Sequence, residues 1–74
     1  MSAREAALAA GLPERMTYTP RETSEYTGIP YETLLGDIRS GRLRAYVPRG
    51  RRRGYRIRPE WVDEWLEGVS RGDS

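Results

Sequence analysis

The chain contains no cysteine, no histidine and no lysine among its 74 residues. The absence of cysteine excludes disulfides and thiolate metal ligands. The absence of histidine removes the commonest general base and the commonest transition-metal ligand. Because a chain of this length forms only a thin core with no room for a sizeable pocket, these absences argue against an enzyme, a metal site and a bound cofactor.

Long apolar runs are also missing. No segment approaches the roughly 18 apolar residues of a membrane span. Residues 1–10 contain an arginine and a glutamate and lack the apolar core of a secretory signal. We therefore expect a cytoplasmic protein with one domain and no membrane partner.

What the chain does have is an uneven distribution of arginine. Residues 39–58 contain nine arginines and no acid, whereas the rest of the chain has four arginines and eleven carboxylates. One segment thus carries +9 and the remainder −7, which together give the formal net charge of +2. The planar guanidinium group matches phosphate oxygens, so clustered arginines predict a nucleic-acid partner. Duplex DNA is favoured over RNA because few aromatic residues interleave the basic run.

Local signals predict two short helices joined by a tight turn. Residues 19–22 have the spacing of a capping box, with a proline at the first helical position. Gly28 is a natural left-handed helix end, and Pro30 cannot continue the first helix. A second helix is predicted over residues 31–40, closed by Gly41. Two helices connected in this way form a helix-turn-helix.

The second half of the chain predicts a hairpin and a further helix. Residues 44–47 and 55–57 are β-branched or aromatic with some alternation, so they are predicted as two antiparallel strands joined by a loop at 48–54. Beyond Pro59, apolar residues recur at the three- and four-residue spacing of a packed helix. The predicted fold class is α+β: a small winged helix-turn-helix with two to three short helices and a two-stranded antiparallel wing.

Both ends are predicted to lie outside this domain, which spans residues 16–69. Ser2 and Glu5 have capping-box spacing, but an isolated helix this short is marginal in water. Residues 1–15 are therefore predicted to be a flexible or weakly helical arm, either a disordered leader or a small arm for a partner or for DNA. Residues 70–74 are predicted to be a disordered tail.

The second helix is the candidate recognition helix, with Leu34 and Ile38 facing the core. Its candidate DNA contacts are Tyr31, Glu32, Thr33, Leu35, Gly36 and Arg39. Arg39 can bind a phosphate or a guanine edge, and Glu32 can accept a hydrogen bond from a cytosine amino group. The alternative is an ordinary solvent face, on which Glu32 merely favours the positive end of the helix dipole.

The arginine-rich loop is the second candidate DNA contact, because arginines on a thin loop can enter the minor groove or clamp phosphates. Its candidate residues are Arg49, Gly50, Arg51, Arg52, Arg53 and Arg56. Further arginines are candidate phosphate contacts: Arg21, Arg42, Arg44 and Arg58. The alternative is a solvated basic loop that only keeps the protein soluble.

The last helix carries two tryptophans and four acids. Trp65 is expected to close the core and Trp61 to cover its rim, the alternative being a platform that stacks unpaired bases. The acids are expected to form a negative outer face turned away from DNA, either plain solvent surface or a docking surface for a basic partner: Glu60, Asp63, Glu64 and Glu67.

Residues 18–67 resemble the small excisionase-type winged helix-turn-helix domains, which are related to the DNA-binding part of MerR-like regulators. The resemblance is carried by the runs Tyr18-Thr19-Pro20-Arg21-Glu22, Gly28-Ile29-Pro30, Thr33-Leu34, Ile38-Arg39-Ser40-Gly41-Arg42-Leu43, Gly54-Tyr55-Arg56-Ile57 and Trp65-Leu66. It implies a protein that binds DNA beside an attachment site, bends it and steers a tyrosine integrase toward excision without performing chemistry. Other members of the family are transcriptional regulators.

We therefore expect sequence-guided binding of duplex DNA, with an excisionase of a phage or mobile element as the first hypothesis. Because one such domain has a small footprint, side-by-side association on tandem sites would supply the avidity. A small transcriptional regulator that binds a single operator is one alternative. A protein-interaction adaptor, whose arginine-rich loop meets an acidic partner, is another.

Overall fold

Four helices and the segments joining them make up the described structure. The computed structural model of the chain describes residues 1–49 and 54–72. In chain order the helices are α1 (Ala3–Ala9), α2 (Pro20–Thr27), α3 (Tyr31–Ser40) and α4 (Pro59–Gly72). The predicted bounds of α2 and α3, the two helices of the helix-turn-helix, are confirmed.

The ends of α2 are fixed by the signals that are visible in the sequence. The Thr19 hydroxyl accepts a hydrogen bond from the Glu22 N–H at 3.1 Å, and the Glu22 carboxylate accepts one from the Thr19 N–H at 3.0 Å. Gly28 ends the helix with a φ of 76°, which a residue with a side chain adopts only at a cost. The predicted capping box and glycine end are therefore confirmed.

The end of α3 is a Schellman motif. The N–H of Gly41 donates to the Ile38 carbonyl at 3.2 Å, and the N–H of Arg42 donates to the Asp37 carbonyl at 2.9 Å. Gly41 has a φ of 85°, as this motif requires. An apolar contact frequently accompanies such a helix end. In this chain an ion pair takes that place, with 3.3 Å between an Arg42 nitrogen and a carboxylate oxygen of Asp37.

The predicted α+β class and its two-stranded wing are wrong. The described residues contain no strand, only two isolated antiparallel bridges, Tyr46 with Arg56 and Tyr18 with Ile57. Tyr46 and Arg56 exchange two backbone hydrogen bonds of 3.0 and 2.7 Å, but Ile57 exchanges its own pair with Tyr18 on another segment. Pairing therefore does not propagate into a ladder, and the described structure is a small all-helical domain.

One thin core joins α3, α4 and the segment between them. Trp65 is 7% exposed, and Trp61 is partly buried against the same cluster. The prediction that Trp65 closes the core and Trp61 covers its rim is thus confirmed. The fully buried members of this cluster, each worth about 1.5–3 kcal/mol of burial, are Leu34, Leu43, Ile57 and Val62.

The N-terminal segment reaches this core through α1. Ser2 and Glu5 form the capping box that their spacing predicts. Ala3 and Ala7 are buried, and α1 packs against both α2 and α4. The Ala3 N–H donates to the Asp63 carboxylate of α4 at 2.8 Å. Tertiary contacts thus hold a helix that would be marginal in isolation.

Tyr18 ties the segment between α1 and α2 to the domain. Its hydroxyl donates to the Pro13 carbonyl at 2.8 Å and accepts from the Arg15 N–H at 3.2 Å. The Arg15 guanidinium lies 5.1 Å from the Tyr18 ring centroid and pairs with Glu22 of α2. Partial burial raises the pKa of the Glu22 carboxyl, but hydrogen bonds from Thr19 and Arg15 outweigh it, so the pKa lies below its ordinary value.

The lowered pKa of Glu22 predicts a specific loss of stability in acid. Its ionised form stabilises the fold above the ordinary glutamate pKa of about 4.3, and this stabilisation is lost as the pH falls through the lower folded-state value. We expect Glu22→Gln to lower the free energy of unfolding at neutral pH by about 1 kcal/mol and to flatten its fall in acid. Urea denaturation across a series of pH values measures both effects.

Glu25→Gln is the matched control for this prediction, because Glu25 is an exposed acid on the same helix. We expect Glu25→Gln to change the free energy of unfolding at neutral pH by less than about 0.5 kcal/mol. A Glu22→Gln variant whose stability follows that of the unaltered chain at every pH would contradict the role given to Glu22.

Candidate nucleic-acid interface

The helix α3 turns one side to the core and the other to solvent. Leu34 is fully buried, and Ile38 packs against the core cluster. Of the six candidate contacts on this helix, Leu35 is half-buried and five are exposed: Tyr31, Glu32, Thr33, Gly36 and Arg39. The exposed side of α3 is therefore open to a ligand, and Leu35 contributes less of it than the sequence suggests.

The N-terminus of α3 has no side-chain cap. Pro30 precedes the helix, and its carbonyl accepts from the N–H groups of Thr33 and Leu34 at 3.1 and 3.2 Å. The first N–H groups of a helix have no partner inside it, and they carry the positive end of the helix dipole. The exposed first turn of α3 therefore favours hydrogen-bond acceptors on a ligand.

Arg21 and Tyr31 connect the first turn of α2 to the first turn of α3. The Arg21 guanidinium carbon lies 5.0 Å from the centroid of the Tyr31 ring, which is within cation–π range. The two side chains line a shallow depression of about 360 Å³ together with Ser24 and Glu25. This contact places a positive charge beside the exposed N-terminal half of α3.

Three of the candidate arginines have partners within the chain. Arg42 pairs with Asp37 at 3.3 Å, and Arg58 pairs with Glu60 at 3.4 Å. Arg56 is half-buried, and its Nε donates to a threonine hydroxyl at 3.2 Å. Arg56 is thus part of the fold, whereas Arg42 and Arg58 remain exposed at the surface.

Other exposed candidate arginines make no ion pair within the described part of the chain. They come from α2, from α3 and from the segment that follows α3: Arg21, Arg39, Arg44 and Arg49. An arginine whose charge is not neutralised by a carboxylate is suited to a phosphate. The remaining candidates lie outside the described residues, and their contacts stay a prediction: Gly50, Arg51, Arg52 and Arg53.

Two of the candidate arginines contact the ring of Trp61, which was not predicted from the sequence. The guanidinium carbons of Arg44 and Arg58 lie 5.9 and 6.0 Å from the centroid of the Trp61 ring. Tyr46 packs against the same ring edge-on, with the centroids 6.2 Å apart and an angle of 87° between the planes. An aromatic residue on the first turn of a helix that follows an arginine-rich segment is the signal that could have indicated it.

Asp37 is a second residue whose role the sequence analysis missed. Its Oδ2 accepts a hydrogen bond from the Trp65 Nε1–H of α4 at 2.8 Å, and its Oδ1 faces Arg42. Asp37 is therefore a structural residue of α3, directed into the protein. The signal for it is the buried tryptophan, because an indole N–H in a core requires an acceptor.

The expected negative outer face of α4 is partly taken up by α1. Glu60 pairs with Arg4 at 2.7 Å, and Asp63 accepts the Ala3 N–H. The hydrogen bond from Arg4 holds the pKa of Glu60 below its ordinary value. Two of the four acids thus hold the N-terminal helix in place.

Residues 1–49 and 54–72 offer neither a metal site nor a membrane span. They contain no cluster of three or more histidine, cysteine, aspartate or glutamate side chains that could hold a metal ion. Among the helices of that part of the chain, none has the length and apolar character needed to cross a membrane.

Comparison with known protein families gives a match over most of the chain. The profile of a family described as a helix-turn-helix domain matches residues 17–70. The match includes α2, the turn, α3 and most of α4, and it begins after α1. No curated protein and no solved structure matches the chain.

The role of Asp37 predicts a stability change that an exposed acid does not show. Asp37→Ala leaves the buried indole N–H of Trp65 without an acceptor, so we expect it to lower the free energy of unfolding by about 2 kcal/mol. Asp37→Asn retains an acceptor for Trp65 and loses only the ion pair with Arg42, so its cost is smaller. Chemical denaturation measures both variants, with Glu64→Ala on the exposed side of α4 as the control. Equal costs for Asp37→Ala and Glu64→Ala would contradict this role.

Proposed function

We propose that this chain, which belongs to the helix-turn-helix domain family and is a DNA-binding helix-turn-helix protein, places α3 in the major groove of duplex DNA. One observation carries the proposal: the exposed side of α3 lies next to arginines that no carboxylate neutralises within the described residues. A recognition helix needs this combination, because base edges specify the site while phosphate contacts fix the orientation on the duplex.

The first turn of α3 is the part that contacts base edges in this proposal. Recognition helices insert their N-terminal residues into the major groove. In this arrangement the Glu32 carboxylate accepts a hydrogen bond from a cytosine amino group, and the Thr33 hydroxyl donates or accepts one. Arg39, nearly two turns further along the helix, contacts a phosphate or a guanine edge.

The phosphate contacts come from residues that precede α3 in the chain and from residues that follow it. Arg21 lies on α2 and is held at Tyr31, whereas Arg44 and Arg49 follow α3. The arginines at 51–53 continue this series along the chain. Each phosphate contact adds about 0.9 to the slope of log affinity against log salt, so the proposal predicts strongly salt-dependent binding.

At a finer level, we propose that the chain is an excisionase, which binds and bends attachment-site DNA to direct a tyrosine integrase toward excision. The family includes excisionase-like proteins, and the runs at residues 18–22 and 38–43 resemble those of excisionase domains. One domain covers a short stretch of DNA, so several copies bound side by side on tandem sites supply avidity and curvature. The opposite charges of residues 39–58 and the rest of the chain favour contact between such neighbours.

A gel-shift titration tests this proposal. The probes are duplex fragments tiled across the DNA that flanks the gene, with competitor DNA and about 150 mM salt. We expect a ladder of cooperative complexes on a fragment that holds an attachment site, and stimulation of excision when the integrase is added.

Other outcomes of the titration identify the alternatives. A single complex over the promoter would indicate a transcriptional regulator that binds one operator and not an excisionase. No shift on any fragment, together with retention of an acidic protein in a pulldown, would indicate that this surface binds a protein partner and not DNA.

Gly36 allows a test of whether α3 lies against DNA. Among the described residues, a Cβ built on Gly36 meets no atom within 4 Å beyond its chain neighbours and the backbone of its own helix, and the same is true of Gly68 on α4. Each glycine-to-alanine change should therefore raise the free energy of unfolding by up to about 1 kcal/mol. Only Gly36→Ala adds a methyl group to the side of α3 that faces the groove, so we expect it alone to weaken DNA binding, by about tenfold.

The two variants form a matched pair, since both glycines are exposed and helical. Thermal unfolding checks the shared gain in stability, and a DNA titration checks the difference in affinity. Equal affinities for Gly36→Ala and Gly68→Ala would contradict a close approach of α3 to the duplex.

A further inference from the structure

Trp61 occupies an unusual place for a residue of the core rim. It lies on the first turn of α4 and is half-buried, with its inner part against the core cluster. Its ring is also where two distant parts of the basic segment meet: Arg44 follows α3, and Arg58 directly precedes α4. Both guanidinium carbons lie within 6.0 Å of the same ring centroid.

We propose that Trp61 is a positioning residue for DNA binding, which holds the guanidinium groups of Arg44 and Arg58 ready to bind phosphates of the duplex backbone. This inference rests on the proposed function, because it assumes that duplex DNA contacts Arg44 and Arg58. Trp61 itself needs no contact with the nucleic acid. It acts by fixing two long side chains before the DNA arrives.

The physical basis is the conformational freedom of arginine. The side chain of an exposed arginine has several rotatable bonds, and it loses conformational entropy when it is fixed on a phosphate. A cation–π contact restricts that freedom in advance and leaves the N–H groups at the edge of the guanidinium plane able to donate. Tyr46, which packs edge-on against Trp61, limits the motion of the ring.

Arg44 and Arg58 differ in whether an acid of the chain already pairs with them. Arg44 has no ion pair within the described residues, whereas Arg58 is paired with Glu60 at 3.4 Å. Glu60 is also held by Arg4 at 2.7 Å. When Arg58 binds a phosphate it exchanges one anionic partner for another, and Glu60 keeps Arg4. Arg44 is therefore expected to contribute more to affinity than Arg58.

The test compares two substitutions of Trp61 in the full chain. Trp61→Leu keeps an apolar group on the core rim and removes the aromatic face, whereas Trp61→Phe keeps a smaller aromatic face. The probe is a mixed-sequence duplex of about 30 base pairs, titrated at several salt concentrations. We expect Trp61→Leu to weaken binding about tenfold and to lower the salt slope by about one to two, with Trp61→Phe lying closer to the unaltered chain. Thermal unfolding of each variant identifies any loss of fold.

A mutant cycle separates positioning from a general effect. If Trp61 acts through the two arginines, Trp61→Leu should cause no further loss of affinity in a chain that already carries Arg44→Gln and Arg58→Gln. The matched control is Arg39→Gln, an exposed arginine of α3. In that background, Trp61→Leu should cost as much as it does alone.

The outcomes are distinct. Equal losses from Trp61→Leu in all three backgrounds, or an unchanged affinity and salt slope in the otherwise unaltered chain, would overturn the positioning role while DNA binding itself stands. An unchanged affinity for the double arginine variant would overturn it as well, because Trp61 would then have no phosphate contact to position. The absence of any complex with the unaltered chain at about 50 mM salt would contradict the proposed function as a whole.

Discussion

The hydrogen bond between Trp65 and Asp37 joins α4 to the last part of α3. The Asp37 carboxylate accepts the indole N–H of Trp65 from α4, while the Asp37 backbone carbonyl accepts the N–H groups of Arg42 and Leu43 at the end of the helix. The side chain of Asp37 thus joins α3 to α4, while its backbone carbonyl belongs to the helix end formed at Gly41. In a domain with so thin a core, the cost of leaving one buried donor without an acceptor is a large fraction of the total stability.

Four acids of the chain hold its helices and connecting segments together. Acids pair with arginines or accept backbone N–H groups in ways that close the structure: Glu22 with Arg15, Asp37 with Arg42, Glu60 with Arg4, and Asp63 with the Ala3 N–H. The arginines that close the N-terminal half of the fold, Arg4 and Arg15, come from outside the basic segment. The segment at 39–58 contains no acid of its own, and Arg39, Arg44 and Arg49 make no ion pair within the described residues. The net charge of +2 thus combines a segment of +9 with a remainder of −7.

Structural features set by a few adjacent residues could be predicted from the sequence, whereas contacts between distant segments could not. The ends of α2 and α3 follow from Thr19, Glu22, Gly28 and Gly41, because capping and left-handed glycine ends are properties of a few adjacent residues. The predicted wing was wrong because strand propensity at 44–47 and 55–57 does not decide which backbone pairs with which. Ile57 pairs with Tyr18, and that choice depends on the tertiary structure. The hydrogen bond of Asp37 and the arginines around Trp61 were missed for the same reason. Exposure of the candidate contacts on α3 was largely predictable, because it follows from helical periodicity once Leu34 and Ile38 face the core.

Glu60 connects the N-terminal helix to the arginines around Trp61. One of its carboxylate oxygens faces Arg4 of α1, and the other faces Arg58. In a chain that offers Arg58 to a phosphate, an acid beside that arginine would repel the same phosphate if it were left unpaired. Arg4 balances the charge of Glu60 at the other carboxylate oxygen, and the Ala3 N–H donates a hydrogen bond to Asp63. The helix α1, which lies outside the region matched by the family, therefore holds two acids of α4, and under the proposed function its contact with Glu60 reduces the repulsion of a phosphate bound at Arg58.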